Sequence, residues 1–148
     1  DGDTILVTHE GKQIQLQLLG MDAPEDVTNP KLQKDMERTG LQQDELTAIG
    51  RQATSHLSRL TPPGETVEVE ASLDQRDRYG RVPAVVRDAT GRNVNAAMVE
   101  DGFAVVMGRY PFDAALKAEM QRLQEAAISN KRGLWSSHQR TTKAWSGK

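Results

Sequence analysis

The chain has 148 residues, with 19 Lys and Arg against 21 Asp and Glu and no cysteine, for a formal net charge of −2. A single domain is expected at that length, and the absence of cysteine excludes a disulfide framework, a thiolate metal site and a thiol nucleophile. With a pI near 5.9 and a mean hydropathy of −0.63, there is no global pull toward polyanions, and no apolar run approaches the ~20 residues that span a bilayer.

The elements follow from periodicity. Asp1-Gly2-Asp3 reads as one strand turning into the next, which predicts a first strand upstream of residue 1. Residues 4–8 and 12–19 read as two strands joined at His9-Glu10-Gly11. In the second, Ile14, Leu16 and Leu18 alternate with Gln13, Gln15 and Gln17, so Gln17 belongs to the polar face. Residues 26–49 are polar and lack a clear period; they read as a long loop with a helical turn near 32–38, flanking the active site. A helix is predicted over 51–60, stopped at Thr61-Pro62-Pro63-Gly64. Strands follow at 66–73 and 82–87, then a short helix at 95–100 and a last strand at 103–107. The longest helix spans 113–130, its stripe formed by Leu116, Met120, Leu123 and Ala127. Five strands with about three helices predict an α+β fold, a five-stranded Greek-key β-barrel of the OB type. The domain is expected over 1–135, with a mobile polar tail at 136–148 in which Trp145 has no evident partner.

Four segments carry the chemistry: Asp1-Gly2-Asp3-Thr4, then Leu19-Gly20-Met21-Asp22-Ala23-Pro24-Glu25, then Asp77-Arg78-Tyr79-Gly80-Arg81, and Gly133-Leu134-Trp135. Carboxylates able to hold a hard cation, beside guanidiniums able to grip an anion, are what phosphodiester hydrolysis needs. Asp, Gly and Pro also populate turns for local reasons, so each motif alone is weak, and the order of all four is the signal. Together they resemble the staphylococcal nuclease (thermonuclease) family over nearly the whole chain.

The resemblance implies the same barrel and a role for each matching residue. Asp3 and Asp22 match the metal-binding carboxylates, with the Ala23 carbonyl as a third oxygen ligand, and the cofactor implied is one Ca²⁺. Asp1 matches an outer carboxylate that orients the site. Glu25 is the general base, and Arg81 the guanidinium that stabilises charge on the phosphate; otherwise Arg81 is a strand-edge residue paired with Asp77. Arg78, Tyr79 and Tyr110 match positions that contact the nucleotide; the alternative for Tyr79 is a core ring packed under its turn.

Two positions depart from the family. Gln17 stands where an Arg would hold a phosphate oxygen, and loss of one preorganised donor costs on the order of 10²–10³ in rate. Lys12, Lys31, Lys34 and Arg51 are alternative sources of the missing charge. Gly108 replaces an aromatic two residues before Tyr110. Three functions therefore stay open: a metal-dependent endonuclease cleaving DNA or RNA, a weak or inactive relative that binds single-stranded nucleic acid, and an interaction module. The partner expected is DNA or RNA, single-stranded, bound by a monomer. Secretion or a periplasmic location follows only from the family.

Overall fold

The computed structural model describes residues 1–109 and 111–148, and Tyr110 lies outside the described residues. Its strands are β1 (Thr4–His9), β2 (Lys12–Leu18), β3 (Met21–Asp22), β4 (Glu68–Glu70), β5 (Val82–Arg87) and β6 (Val105–Val106). The helices are α1 (Pro30–Thr39), α2 (Gln43–Leu60), α3 (Val94–Glu100), α4 (Ala114–Ser129), α5 (Leu134–Ser137) and α6 (Gln139–Ser146).

The hairpin β1–β2 holds the register Thr4 opposite Gln17. β2 then pairs parallel with β5, which puts Gln17 beside Pro83, and β5 pairs antiparallel with β4. The result is a curled four-stranded mixed sheet in the order β1-β2-β5-β4, with β3 and β6 as a separate antiparallel pair. Alternation decides which face is buried: Leu16, Leu18, Val82 and Ala84 have no exposed surface, each Leu contributing about 1.5–3 kcal/mol by leaving water.

The α+β class stands and the curled sheet is consistent with an OB-like half-barrel, but the expected five strands and about three helices differ from the elements observed. Among the described residues β1 and β4 are the two sheet edges, and between them runs an open groove of about 840 Å³ lined by Ile5, Val7, Leu57, Val67, Val69 and Leu73. The strand read over 66–73 is only three residues long, and six helical segments are present among the described residues.

The largest corrections lie in the polar segments. The stretch 26–49 is not a loop. Asn29 caps α1 by accepting from the Leu32 N–H, Pro30 occupies its first turn, and Glu45 accepts from the Gln42 N–H at the start of α2. α2 begins eight residues earlier than the predicted Arg51 because Leu46 and Ile49 bury against a second core. Residues 136–148 are not a mobile tail either. α6 places Trp145 in that second core with Leu32, Leu46, Ile49, Val105, Leu134 and Trp135, and Arg38 donates to the Trp145 carbonyl at 2.8 Å. No helix of the described residues is long and apolar enough to cross a membrane.

Candidate active site

The acidic residues come together where β2 ends. The Leu18 N–H donates to the Asp3 carbonyl at 2.7 Å, tying the Asp1–Asp3 turn to the last residue of β2. Four residues later β3 ends at Asp22. Gly2 lets these two turns meet: a Cβ there would stand 2.8 Å from the Ala53 Cβ and 3.0 Å from the Ala23 Cβ. Asp1 Oδ1 accepts from the Asp3 N–H at 3.1 Å, and Asp3 Oδ1 from the Thr4 hydroxyl at 3.0 Å. Asn95, fully buried on α3, fixes the same region by donating to the carbonyls of Leu19 and Ala84 while accepting from the Val86 N–H.

Glu25 is only 4% exposed, unusual for a carboxylate without a reason to be buried. Two neighbours account for it. Asn29 Nδ2 donates to Glu25 Oε2 at 2.8 Å, and Lys31 Nζ donates to Glu25 Oε1 at 3.0 Å. Behind it, α2 presses Gly50 against the Glu25 carbonyl, and Thr54 of the same helix donates to Asp26 Oδ2 at 2.7 Å.

Lys31 Nζ also lies 2.6 Å from Asp22 Oδ1 and 3.4 Å from the Ala23 carbonyl oxygen. Burial drives the Asp22 carboxyl up to about 6 and the charges of Asp3 and Glu25 push the same way, while the Lys31 ammonium and its hydrogen bond resist. Burial pulls Lys31 down, but the charges and hydrogen bonds of Asp22 and Glu25 outweigh it and hold the ammonium above its ordinary value. Among the described residues, no group of three His, Asp or Glu side chains is placed to hold a metal ion, so any such ion would rely on a carbonyl and water for part of its shell.

The Arg motif forms a tight turn closed by Asp77. Its carboxylate accepts from the N–H groups of Tyr79 and Arg81 at 2.8 and 2.9 Å and from Arg81 Nε at 2.9 Å. Burial acts to raise the Asp77 pKa, but these hydrogen bonds and the Arg81 charge prevail and lower it. Arg81 is thus the ion-paired residue that the sequence offered as its second reading. Tyr79 is not a core ring: it is 64% exposed, with the guanidiniums of Arg78 and Arg81 4.9 and 5.3 Å from its centroid. Gln17, half-buried, lines a cleft of about 20 Å³ with Leu18, Leu19, Gly20 and Met107. Its alternation with the buried Leu16 and Leu18 puts it on the opposite sheet face from them.

The structure therefore brings Asp22, the Ala23 carbonyl and Glu25 onto Lys31 Nζ, with the Asp3 charge near enough to act on Asp22 and Asp1 joined to the Asp3 N–H. No contact joins Arg78, Tyr79 or Arg81 to these carboxylates among the described residues. Sequence reasoning missed Asn29 and Gly50, and held Lys31 only as one of four cations. The Asn-Pro pair at 29–30 is a helix-start signal that would have placed Lys31 in a first turn.

Comparison with known proteins places the chain in a family. The family model described as staphylococcal nuclease homologue matches residues 15–137. An Escherichia coli protein named an uncharacterized endonuclease is 38% identical over 136 residues, which is 92% of this chain and 72% of that protein. The thermonuclease of Staphylococcus hyicus is 30% identical over 139 residues, 92% of this chain and 71% of its own length. Endonuclease YhcR of Bacillus subtilis is 28% identical over 140 residues, again 92% of this chain but only 11% of that much longer protein. With that model matching residues 15–137 and two of these relatives 38% and 30% identical over most of their length, the chain belongs to the staphylococcal nuclease homologue family.

Proposed function

We propose that this domain is a metal-dependent phosphodiesterase of the nuclease type, hydrolysing DNA or RNA with single-stranded polynucleotide as substrate. One observation carries the reading: Asp22 Oδ1, the Ala23 carbonyl and Glu25 Oε1 converge on a single cationic group, Lys31 Nζ, within 3.4 Å. The ammonium stands in for a cation, and the all-oxygen donor set suits a hard divalent ion such as Ca²⁺. Asp3, Asp22 and the Ala23 carbonyl would hold that ion, with water completing the shell. When bound, it supplies Lewis-acid polarisation of a phosphoryl oxygen.

The remaining work falls to this chain's own residues. Glu25 accepts the proton of the attacking water, and Asn29 on its other oxygen fixes which way it faces. Asp1 steadies the Asp3 backbone. Arg81 stabilises charge on the phosphate once it exchanges Asp77 for a phosphate oxygen. Arg78 and the exposed Tyr79 ring hold the nucleotide, stacking being worth about 1–3 kcal/mol per base. Gln17 contributes no charge where the family resemblance implies an Arg, so the site works with one fixed guanidinium fewer than that resemblance implies.

The test is cleavage of a fluorescent single-stranded oligonucleotide with Ca²⁺ or with EDTA. Cleavage should require Ca²⁺ and fall at least about 100-fold in Glu25→Gln, the lower range for loss of a general base. Cleavage that resists EDTA, or a Glu25→Gln variant as active as the wild type, would overturn the proposal.

A further inference from the structure

Lys31 is the cation nearest the acidic cluster, and it is delivered there by local structure. Asn29 caps α1, Pro30 sets the first turn, and Lys31 follows with its ammonium between Asp22 and Glu25 at 2.6 and 3.0 Å. The rest of α1 is anchored away from the site: Leu32 is buried in the second core, and Arg38 bridges Asp35 and the Trp145 carbonyl. The helix is held at its far end, while Lys31 itself is 42% exposed on a flexible four-carbon stem. Two of the three oxygens it touches, on Asp22 and Ala23, are the ones a divalent ion would need.

We propose that Lys31 is a tethered competitor of the divalent cation: it neutralises Asp22 and Glu25 in the metal-free protein and must withdraw from Asp22 and the Ala23 carbonyl before the ion can bind. This rests on the metal-dependent reading above. Two like charges cannot share the same oxygens at contact distance, so each ion that enters drives the ammonium outward. The displaced Nζ stays on its stem beside Glu25, where an incoming phosphate is the nearest unused anion. Metal and polynucleotide therefore bind more tightly together than separately, since each relieves the other's competition. Lys31 thereby supplies, when displaced, the mobile charge that Gln17 lacks as a fixed one.

The experiment is calorimetric titration of Ca²⁺ into the full chain, comparing the wild type with Lys31→Met and Lys31→Arg, alongside thermal melts in EDTA and in Ca²⁺. Lys31→Met should bind Ca²⁺ at least about fivefold more tightly than the wild type, at the low end of ordinary coupling between sites. It should also melt lower in EDTA and recover more in Ca²⁺ than the wild type does, while Lys31→Arg stays near the wild type in both. Equal Ca²⁺ affinity in the wild type and Lys31→Met, or weaker binding in the variant, overturns the competition while leaving the metal site intact. Absence of Ca²⁺ binding in every folded variant overturns the metal-dependent reading, and this inference with it.

Discussion

Gly50 sits in the middle of α2 where the helix crosses the backbone of Glu25. A Cβ at that position would stand 2.0 Å from the Glu25 carbonyl oxygen, 2.4 Å from its carbon and 2.7 Å from the Asp26 nitrogen. Both neighbours are backbone, so no side chain can swing aside. Non-bonded heavy atoms settle at about 3.5 Å, so Gly50→Ala forces the helix and the Glu25 backbone apart by roughly 1.5 Å. Misplacing a reacting group by 1 Å costs about 10²-fold in rate, so kcat/KM should fall by at least about 100-fold. Stability should suffer much less. Overpacking costs about 1–3 kcal/mol, and replacing a helical Gly with Ala returns about 1 kcal/mol. At roughly 2–4 °C per kcal/mol, the net loss of up to about 2 kcal/mol lowers Tm by up to about 8 °C. Oligonucleotide cleavage and a thermal melt on the same preparation separate the two effects. A folded Gly50→Ala protein with wild-type kcat/KM would refute the reasoning, because it would mean that the position of Glu25 does not matter to the reaction.

Gln17→Arg should raise cleavage at least about tenfold, because it adds charge and a second donor for a phosphate oxygen; no gain in a folded, Ca²⁺-binding protein would show that position 17 does not face the substrate. Trp145→Ala should cost about 3–5 kcal/mol, since the ring is buried among Leu32, Leu46, Leu134 and Trp135. A thermal melt reads this as a drop of about 6–20 °C, and a loss under about 1 kcal/mol would contradict the packing of α6.

The parts of the chain that were legible in the sequence are those where one period dominates. The alternation of Ile14, Leu16 and Leu18 marked β2 and the face of Gln17, and the apolar stripe through Met120 and Ala127 marked α4, one residue too long at each end. Polar segments with sparse anchors were opaque. In α1 only Leu32 among the apolar residues is fully buried, and in α6 only Trp145, so neither shows a stripe before the second core is assembled around it. The tertiary partners, not the local pattern, make those helices. The acidic cluster followed the same division. Asp3, Asp22 and Glu25 were readable because turn motifs fix their backbone, whereas Lys31 and Gly50 reach the site from helices hidden inside a supposed loop. Arg81 shows the opposite case, since a position read as catalytic is engaged by its own turn through Asp77.

The central claim is that Asp3, Asp22 and the Ala23 carbonyl hold a divalent ion. It is tested most directly by diffraction from crystals grown with Mn²⁺, whose anomalous signal locates the metal without reference to activity. The expected result is a single peak in contact with oxygens of Asp3, Asp22 and Ala23, replaced by Ca²⁺ at about 2.3–2.6 Å from the same atoms in a second crystal. A peak elsewhere, or Asp3 and Asp22 facing apart with Lys31 still seated between Asp22 and Glu25 at saturating metal, would contradict it.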